Sequence, residues 1–196
     1  MRVFTAVLAC LSLCFAFAAR AAENPHVKIS TSKGDIVVEL YPDKAPKTAA
    51  NFLQYAKEGH YDRTIFHRVV QGFVIQGGGY SAYFNERPNH DPVPYEGDNG
   101  LKNERGTIAM ARLSDPNSAT SQWYINLVDN PKLDQKVNDL GTIYGYTVFG
   151  RVVDGMDVAD AIGAVPTGPG GPFEAEVPVE PVVITRVDLV DWPASQ

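Results

Sequence analysis

The sequence predicts a mainly β domain, a closed eight-stranded antiparallel barrel capped by two helices. Three observations lead there. About eight short runs rich in β-branched and aromatic residues are spread along the chain, whereas only two segments suit a helix. Glycine, proline and polar stretches separate the runs, as they do between strands of an all-β domain. So many short strands leave sticky edges unless the sheet closes on itself.

The first segment stands apart from that domain. Arg2 is followed by an apolar run from Val3 to Ala19, broken only by Thr5, Ser12 and two cysteines. The run is shorter than the about 20 residues that a membrane span needs. It ends in Ala19-Arg20-Ala21, the small-x-small pattern read by signal peptidase. A signal peptide over residues 1–21 is expected, with cleavage after Ala21 and a single domain over 22–196. A lipoprotein would need a small residue before Cys14, where Leu13 stands, and Cys10 comes too early. An uncleaved anchor is the other alternative. Cleavage removes both cysteines, and with them any disulfide, thiol nucleophile or thiolate ligand. Arg2 and Arg20 leave too, taking the formal charge from −6 to −8. So acidic a domain lacks the basic footprint of nucleic-acid binding. The remaining chain suffices for one sizeable core. The product is expected to be exported, periplasmic if the source is Gram-negative, and not stably attached to a membrane. No coiled coil or long exposed apolar segment is evident, so a monomer is expected.

Val27 and Ile29, then Ile36, Val38 and Leu40, alternate with polar residues on either side of Lys33-Gly34, which predicts a β-hairpin. A helix follows: Pro46 suits its first turn, Ala49, Phe52, Leu53 and Ala56 share one face, and Gly59 suits its stop. Strands are expected at 64–70, 73–76, 107–112, 122–128, 147–153 and 182–190. A long polar loop spans 80–105 and a Pro/Gly-rich one 165–181. A second helix covers 156–162, ended by Gly163. There is no internal repeat and no interdomain linker.

Two strands carry unusual side chains. Gln71-Gly72 suits a tight turn, after which Val74 and Gln76 share a face. Arg68 is a permanent cation amid Phe66, Val69 and Val70; an outward solvated charge is its simplest explanation. In the strand from Gln122, Trp123, Ile125 and Leu127 form one apolar face, while Gln122, Tyr124 and Asn126 form the other. The second face is either that of an ordinary half-buried strand or the lining of a peptide groove. Gly77-Gly78-Gly79 has neither the Lys-Ser/Thr pair nor the following helix of a phosphate loop. The four histidines lack metal-ligand spacing, and neither metal nor cofactor is expected. His67 is a conceivable general base, but no Ser or Asp constellation supports a hydrolase. The Pro/Gly-rich stretch is a surface connection or a tract for a Pro-binding domain.

The run from Phe66-His67-Arg68-Val69 through Gly72-Phe73-Val74-Ile75-Gln76-Gly77-Gly78 resembles the signature of cyclophilins. So do Gly106-Thr107-Ile108-Ala109-Met110-Ala111, Ser121-Gln122-Trp123-Tyr124-Ile125, Leu133-Asp134 and Val148-Phe149-Gly150-Arg151-Val152. The likeness runs from about Val27 to Val190, and Asn99 to Thr107 resembles the exported bacterial branch. It implies a peptidyl-prolyl cis-trans isomerase acting on proline-containing unfolded or flexible polypeptides. A non-catalytic peptide-binding or chaperone module on the same fold is the alternative. Arg68 matches the family's catalytic arginine. Phe73, Val74, Tyr124 and Leu133 match the walls of the proline pocket, and Gln76 and Gln122 the polar groups beside the substrate backbone. Ala111 and Arg112 match the edge segment whose backbone holds the peptide. Three positions depart. Lys132 stands where many members carry a tryptophan that helps bind cyclosporin, so weak binding of that drug is expected. Tyr146, still counted with the pocket, stands where many carry histidine. Arg112 replaces a common asparagine, with little loss expected because that position acts mainly through its backbone.

Overall fold

Val27 and Ile29 of β1 (His26–Thr31) face Val38 and Ile36 of β2 (Gly34–Leu40) across the predicted turn, and all four side chains are fully buried. The computed structural model describes residues 23–192; the expected signal peptide over 1–21 lies outside the described residues. After β2 come α1 (Pro46–Lys57), β3 (Thr64–Val70), β4 (Val74–Ser81), β5 (Thr107–Met110) and β6 (Trp123–Asn126). Then follow β7 (Lys136–Asn138), β8 (Gly141–Ile143), β9 (Val148–Asp154), α2 (Met156–Gly163), β10 (Thr167–Gly170), β11 (Phe173–Pro178) and β12 (Val183–Val190). Eight strands close into an antiparallel barrel in the order β1-β12-β3-β4-β6-β5-β9-β2, as the sequence predicts.

The differences from expectation lie at rims and loops. Both 107–112 and 122–128 are trimmed, so Ala111, Arg112 and Gln122 fall just outside β5 and β6. β4 instead runs on through the glycine triplet to Ser81. Gly78 has φ +88°, and a Cβ there would lie 2.8 Å from Trp123 Nε1. The triplet thus serves close passage of backbone over a buried ring. The Pro/Gly-rich loop carries the β10–β11 hairpin, and a second small hairpin, β7–β8, stands outside the barrel. Short strands this poor in buried apolar residues have no period for a sequence to display.

Side chains fill the barrel. Phe52 of α1 lies 5.2 Å from Tyr61, 5.4 Å from Phe149 and 6.1 Å from Trp123, ring centre to ring centre. α2 adds Ala159 and Ile162 to the same core. Pro46 starts α1 as predicted, but the N-cap Ala45 has no side chain with which to cap it. Glu96, from the long polar loop, does so remotely. It accepts hydrogen bonds from the Lys47 and Thr48 amides at 3.1 and 2.9 Å, and from the Thr48 hydroxyl at 2.8 Å.

Losing a cap of this kind costs about 1–2 kcal/mol. Glu96→Ala should lower the urea midpoint accordingly without changing the slope, while Glu96→Gln, which keeps an acceptor, should lose less. An unchanged midpoint in Glu96→Ala would show that the remote carboxylate does not cap the helix.

Candidate active site

Strand alternation builds two apolar clusters from the same strands. Ile75, Trp123 and Ile125 point into the barrel, whereas Val74, Ala109, Tyr124 and Val148 form a separate cluster. Phe73, Leu101, Ala111, Leu133 and Tyr146 pack against that second cluster. Above it opens a pocket of about 310 Å³ lined by Arg68, Phe73, Val74, Gln76, Ala111, Arg112, Tyr124, Leu133 and Tyr146. Gln122 lines the adjoining groove of about 370 Å³, which shares Gln76, Ala111 and Arg112 with the pocket. The Gln76 amide donates to Gln122 Oε1 at 3.0 Å, joining the two. All ten residues singled out in the sequence therefore converge on one continuous surface.

Arg68 reaches this surface through an irregularity in β3. Phe66 pairs with Gly77 and Arg68 with Gln76, so β3 has one residue more than β4 over that step. In a regular strand Arg68 would share the inward face of Phe66; the bulge re-aims it outward. Its guanidinium carbon sits 5.9 Å from the centre of the Phe73 ring. Its Nε donates to Glu176 Oε2 on β11 at 2.6 Å. The two Nη nitrogens make no hydrogen bond to another described residue. Glu176 was invisible in the sequence: it lies 108 residues downstream, in a tract with no apolar period.

The other bulge residue, His67, is buried behind Gln122 of the groove, 4.8 Å from the Tyr80 ring and 5.4 Å from that of Phe173 on β11. Burial, and then the charge of Arg68, lower its pKa from 6.5 to about 4. It is neutral at physiological pH, outside the pocket lining, and packs the β10–β11 hairpin onto the barrel. Its ring is not among the groups that line the pocket or the groove.

A buried amide network supports the pocket floor. The Tyr124 hydroxyl donates to Asn103 Oδ1 at 2.7 Å. Asn126 donates to Asn103 Oδ1 and Thr107 Oγ1, and Asn130 to Asn126 Oδ1. Burial pushes the Tyr124 hydroxyl well above its ordinary pKa, so it remains a donor. At the rim, the Ala111 amide is donated to Gln122 O. The Arg112 main chain makes no such bond among the described residues, which leaves it available to a peptide. The Arg112 side chain has a task of its own: it donates to Gly145 O and Tyr144 O at 2.9 and 2.7 Å, and its guanidinium carbon lies 4.8 Å from the Tyr146 ring centre.

Residues 26–189 match the family described as Cyclophilin type peptidyl-prolyl cis-trans isomerase/CLD. The chain belongs to the cyclophilin family. It is 46% identical to peptidyl-prolyl cis-trans isomerase A of Dickeya dadantii, over 96% of this chain and 97% of the relative. It is 50% identical to peptidyl-prolyl cis-trans isomerase B of Escherichia coli, over 83% of this chain and 98% of that one. A crystal structure of a Cryptosporidium parvum cyclophilin, determined in the presence of the dipeptide Ala-Pro, matches with a TM-score of 0.67 and 29% identity, over 85% of this chain and 99% of the other. This cyclophilin is accordingly a peptidyl-prolyl cis-trans isomerase.

The buried His67 should make cyclophilin stability depend on pH. Folding disfavours its proton, so between pH about 6.5 and about 4 the unfolded chain binds more protons than the folded one. Stability should therefore fall as the pH drops through that window, by about 3 kcal/mol in all from this group. Urea titrations at pH 7 and pH 4.5 should show a smaller loss in His67→Phe than in wild type. Equal losses would mean that His67 titrates alike in both states.

Proposed function

We propose that Arg68 is the catalytic residue of this isomerase, acting electrostatically on X-Pro bonds held in the pocket beside it. Rotation about the amide C–N bond must overcome about 18–20 kcal/mol of barrier, set by resonance. A thousandfold acceleration needs roughly 4 kcal/mol. No bond breaks, so neither nucleophile nor metal is required. What is required is a donor that favours the twisted amide, whose proline nitrogen regains its lone pair. A preorganised donor in a water-poor site supplies about 3–4 kcal/mol.

The observation that carries this reading is the Arg68 guanidinium over the Phe73 ring, with Nε already held by Glu176. The planar fork lets one edge be tethered while the Nη groups serve the substrate. A lysine has three donors on one compact ammonium, so it cannot hold one edge while presenting a separate, fixed edge in the same plane. Phe73, Val74, Tyr124, Leu133 and Tyr146 would grip the proline ring, and Gln76, Gln122 and the main chain at Ala111 and Arg112 would hold the flanking residues. One chain completes the pocket, which supports a monomer as the working unit.

Cis-to-trans relaxation of a short X-Pro peptide tests the assignment. Arg68→Ala should lower kcat/KM roughly 100- to 1000-fold. Stability should change by no more than about 1 kcal/mol, because the Arg68–Glu176 pair is over a third exposed. Arg68→Lys should recover only part of the rate. Glu176→Ala should cost activity in the wild-type background and none in Arg68→Ala. A folded Arg68→Ala protein with near-wild-type turnover would sink the assignment.

We further propose that this cyclophilin works on exported proteins after losing residues 1–21. The Arg2-led apolar run and Ala19-Arg20-Ala21 support this, and the alignment with the Dickeya relative is long enough to take in much of that run. Expressed in a Gram-negative host, the protein should appear in the periplasm with Ala22 as its first residue by intact mass. Membrane-bound protein of full mass would favour an anchor.

A further inference from the structure

The β7–β8 hairpin stands beside the pocket and presents several apolar side chains to solvent among its polar ones. Every residue of its two strands is exposed. Val137 is 73%, Leu140 97%, Ile143 57% and Tyr144 48% exposed. Four of the ten large exposed hydrophobics among the described residues thus fall between 137 and 144, with Val137 and Ile143 on opposite faces of the ribbon and Leu140 at its tip. Val137 and Leu140 bury little for the fold, and a two-stranded hairpin gains little stability of its own.

The base of the hairpin is anchored to the pocket. The strands spring from Leu133 and Tyr146, two pocket walls whose main chains bond at 2.9 Å. Arg112 clamps Tyr144 O and Gly145 O, and the Tyr144 ring meets Tyr95 edge-on at 5.2 Å. Beyond this base, Lys136 pairs with Ile143 and Asn138 with Gly141. Val137 and Ile143 lie four and three residues from these walls, at most about 10–15 Å at about 3.3 Å per residue, a gap that an extended chain spans in about four residues.

We propose that the β7–β8 hairpin is a second docking surface for the substrate itself, taking an apolar segment of a non-native polypeptide a few residues from the proline being isomerised. This rests on the pocket assignment above. The chemistry selects the occupant: folded proteins bury such segments, whereas unfolded ones display them near their prolines. Continuity with the pocket makes the two contacts one bivalent grip, so the second raises affinity without touching the reacting bond. Short peptides, which end before the hairpin, are blind to it.

The test compares wild type with Val137→Ser/Leu140→Ser/Ile143→Ser on two substrates, a short X-Pro peptide and the proline-limited refolding of a denatured protein. The expected result is equal kcat/KM on the peptide and a loss of roughly tenfold on the refolding protein, a smaller effect than full burial of one such side chain gives. Equal activity of the two proteins on both substrates overturns the proposal. Folded wild type inert on the short peptide would instead overturn the pocket assignment. Amide NMR of wild type supplies a readout independent of the variant. A peptide with an apolar tract four residues from proline should move hairpin amides, and its Ser/Gly counterpart should move only those of the pocket. Hairpin amides unmoved by either peptide overturn the proposal. So does sedimentation in which wild type dimerises and the triple variant does not, since that assigns the surface to a second copy.

Discussion

A barrel of eight strands closes around side chains, not around space. Phe52, Phe66, Trp123 and Phe149 occupy the interior here, so whatever the domain binds must be met from outside. Strand alternation turns that constraint into a site. Each strand near the pocket contributes to both sides: Ile75 fills the core while Val74 and Gln76 face the substrate surface, and Trp123 and Tyr124 divide the work likewise. A register slip of one residue would empty both at once. Folding and function therefore depend on the same pairing.

The bulge in β3 is the one place where alternation is deliberately broken. It sends Phe66 and Val69 inward while two consecutive residues between them look elsewhere. His67 packs the β10–β11 hairpin by burial, and Arg68 meets the same hairpin by charge. Glu176 holds φ +67°, which costs a non-glycine residue about 1–2 kcal/mol. A pair this exposed returns at most about 1 kcal/mol. Stability alone gives no reason for Glu176 to stand there, and strain of this kind tends to collect where a side chain must be aimed. Fixing one edge of a guanidinium is such an aim.

Much of this was legible in the sequence. The strand periods of β1, β2, β3 and β12 and the apolar face of α1 follow from which residues must be buried, and burial leaves a period. The two faces of β4 and β6 left a groove as one of two readings, and the pocket residues came from the resemblance to cyclophilins. What escaped shares one property, dependence on partners far along the chain. Glu96 caps a helix from about 50 residues away, and Glu176 reaches Arg68 from twice that distance. The bulge escaped because Phe66, Arg68 and Val70 look like one face until the register with Gly77 and Gln76 is known. The hairpins outside the barrel escaped because exposed strands have no reason to alternate.

The two rim substitutions illustrate how contacts change the meaning of a residue. Taken singly, Arg112 in place of asparagine and Tyr146 in place of histidine are two departures from the family pattern. In the structure they are one unit: the guanidinium lies over the Tyr146 ring, and Tyr146 in turn meets Tyr124 edge-on at 5.7 Å. The stack adds a cation–π contribution of about 0.5–1 kcal/mol at a partly exposed site. More consequential are the carbonyls of Tyr144 and Gly145, which the same guanidinium gathers. The wall of the pocket and the root of the β7–β8 hairpin are thereby tied by a single side chain, leaving the Arg112 main chain free for a peptide. An asparagine is too short to span both carbonyls and a ring, and a histidine offers a poorer cation platform. The pair therefore makes physical sense only together, as the joint that lets an exposed apolar hairpin keep a fixed position beside the groove.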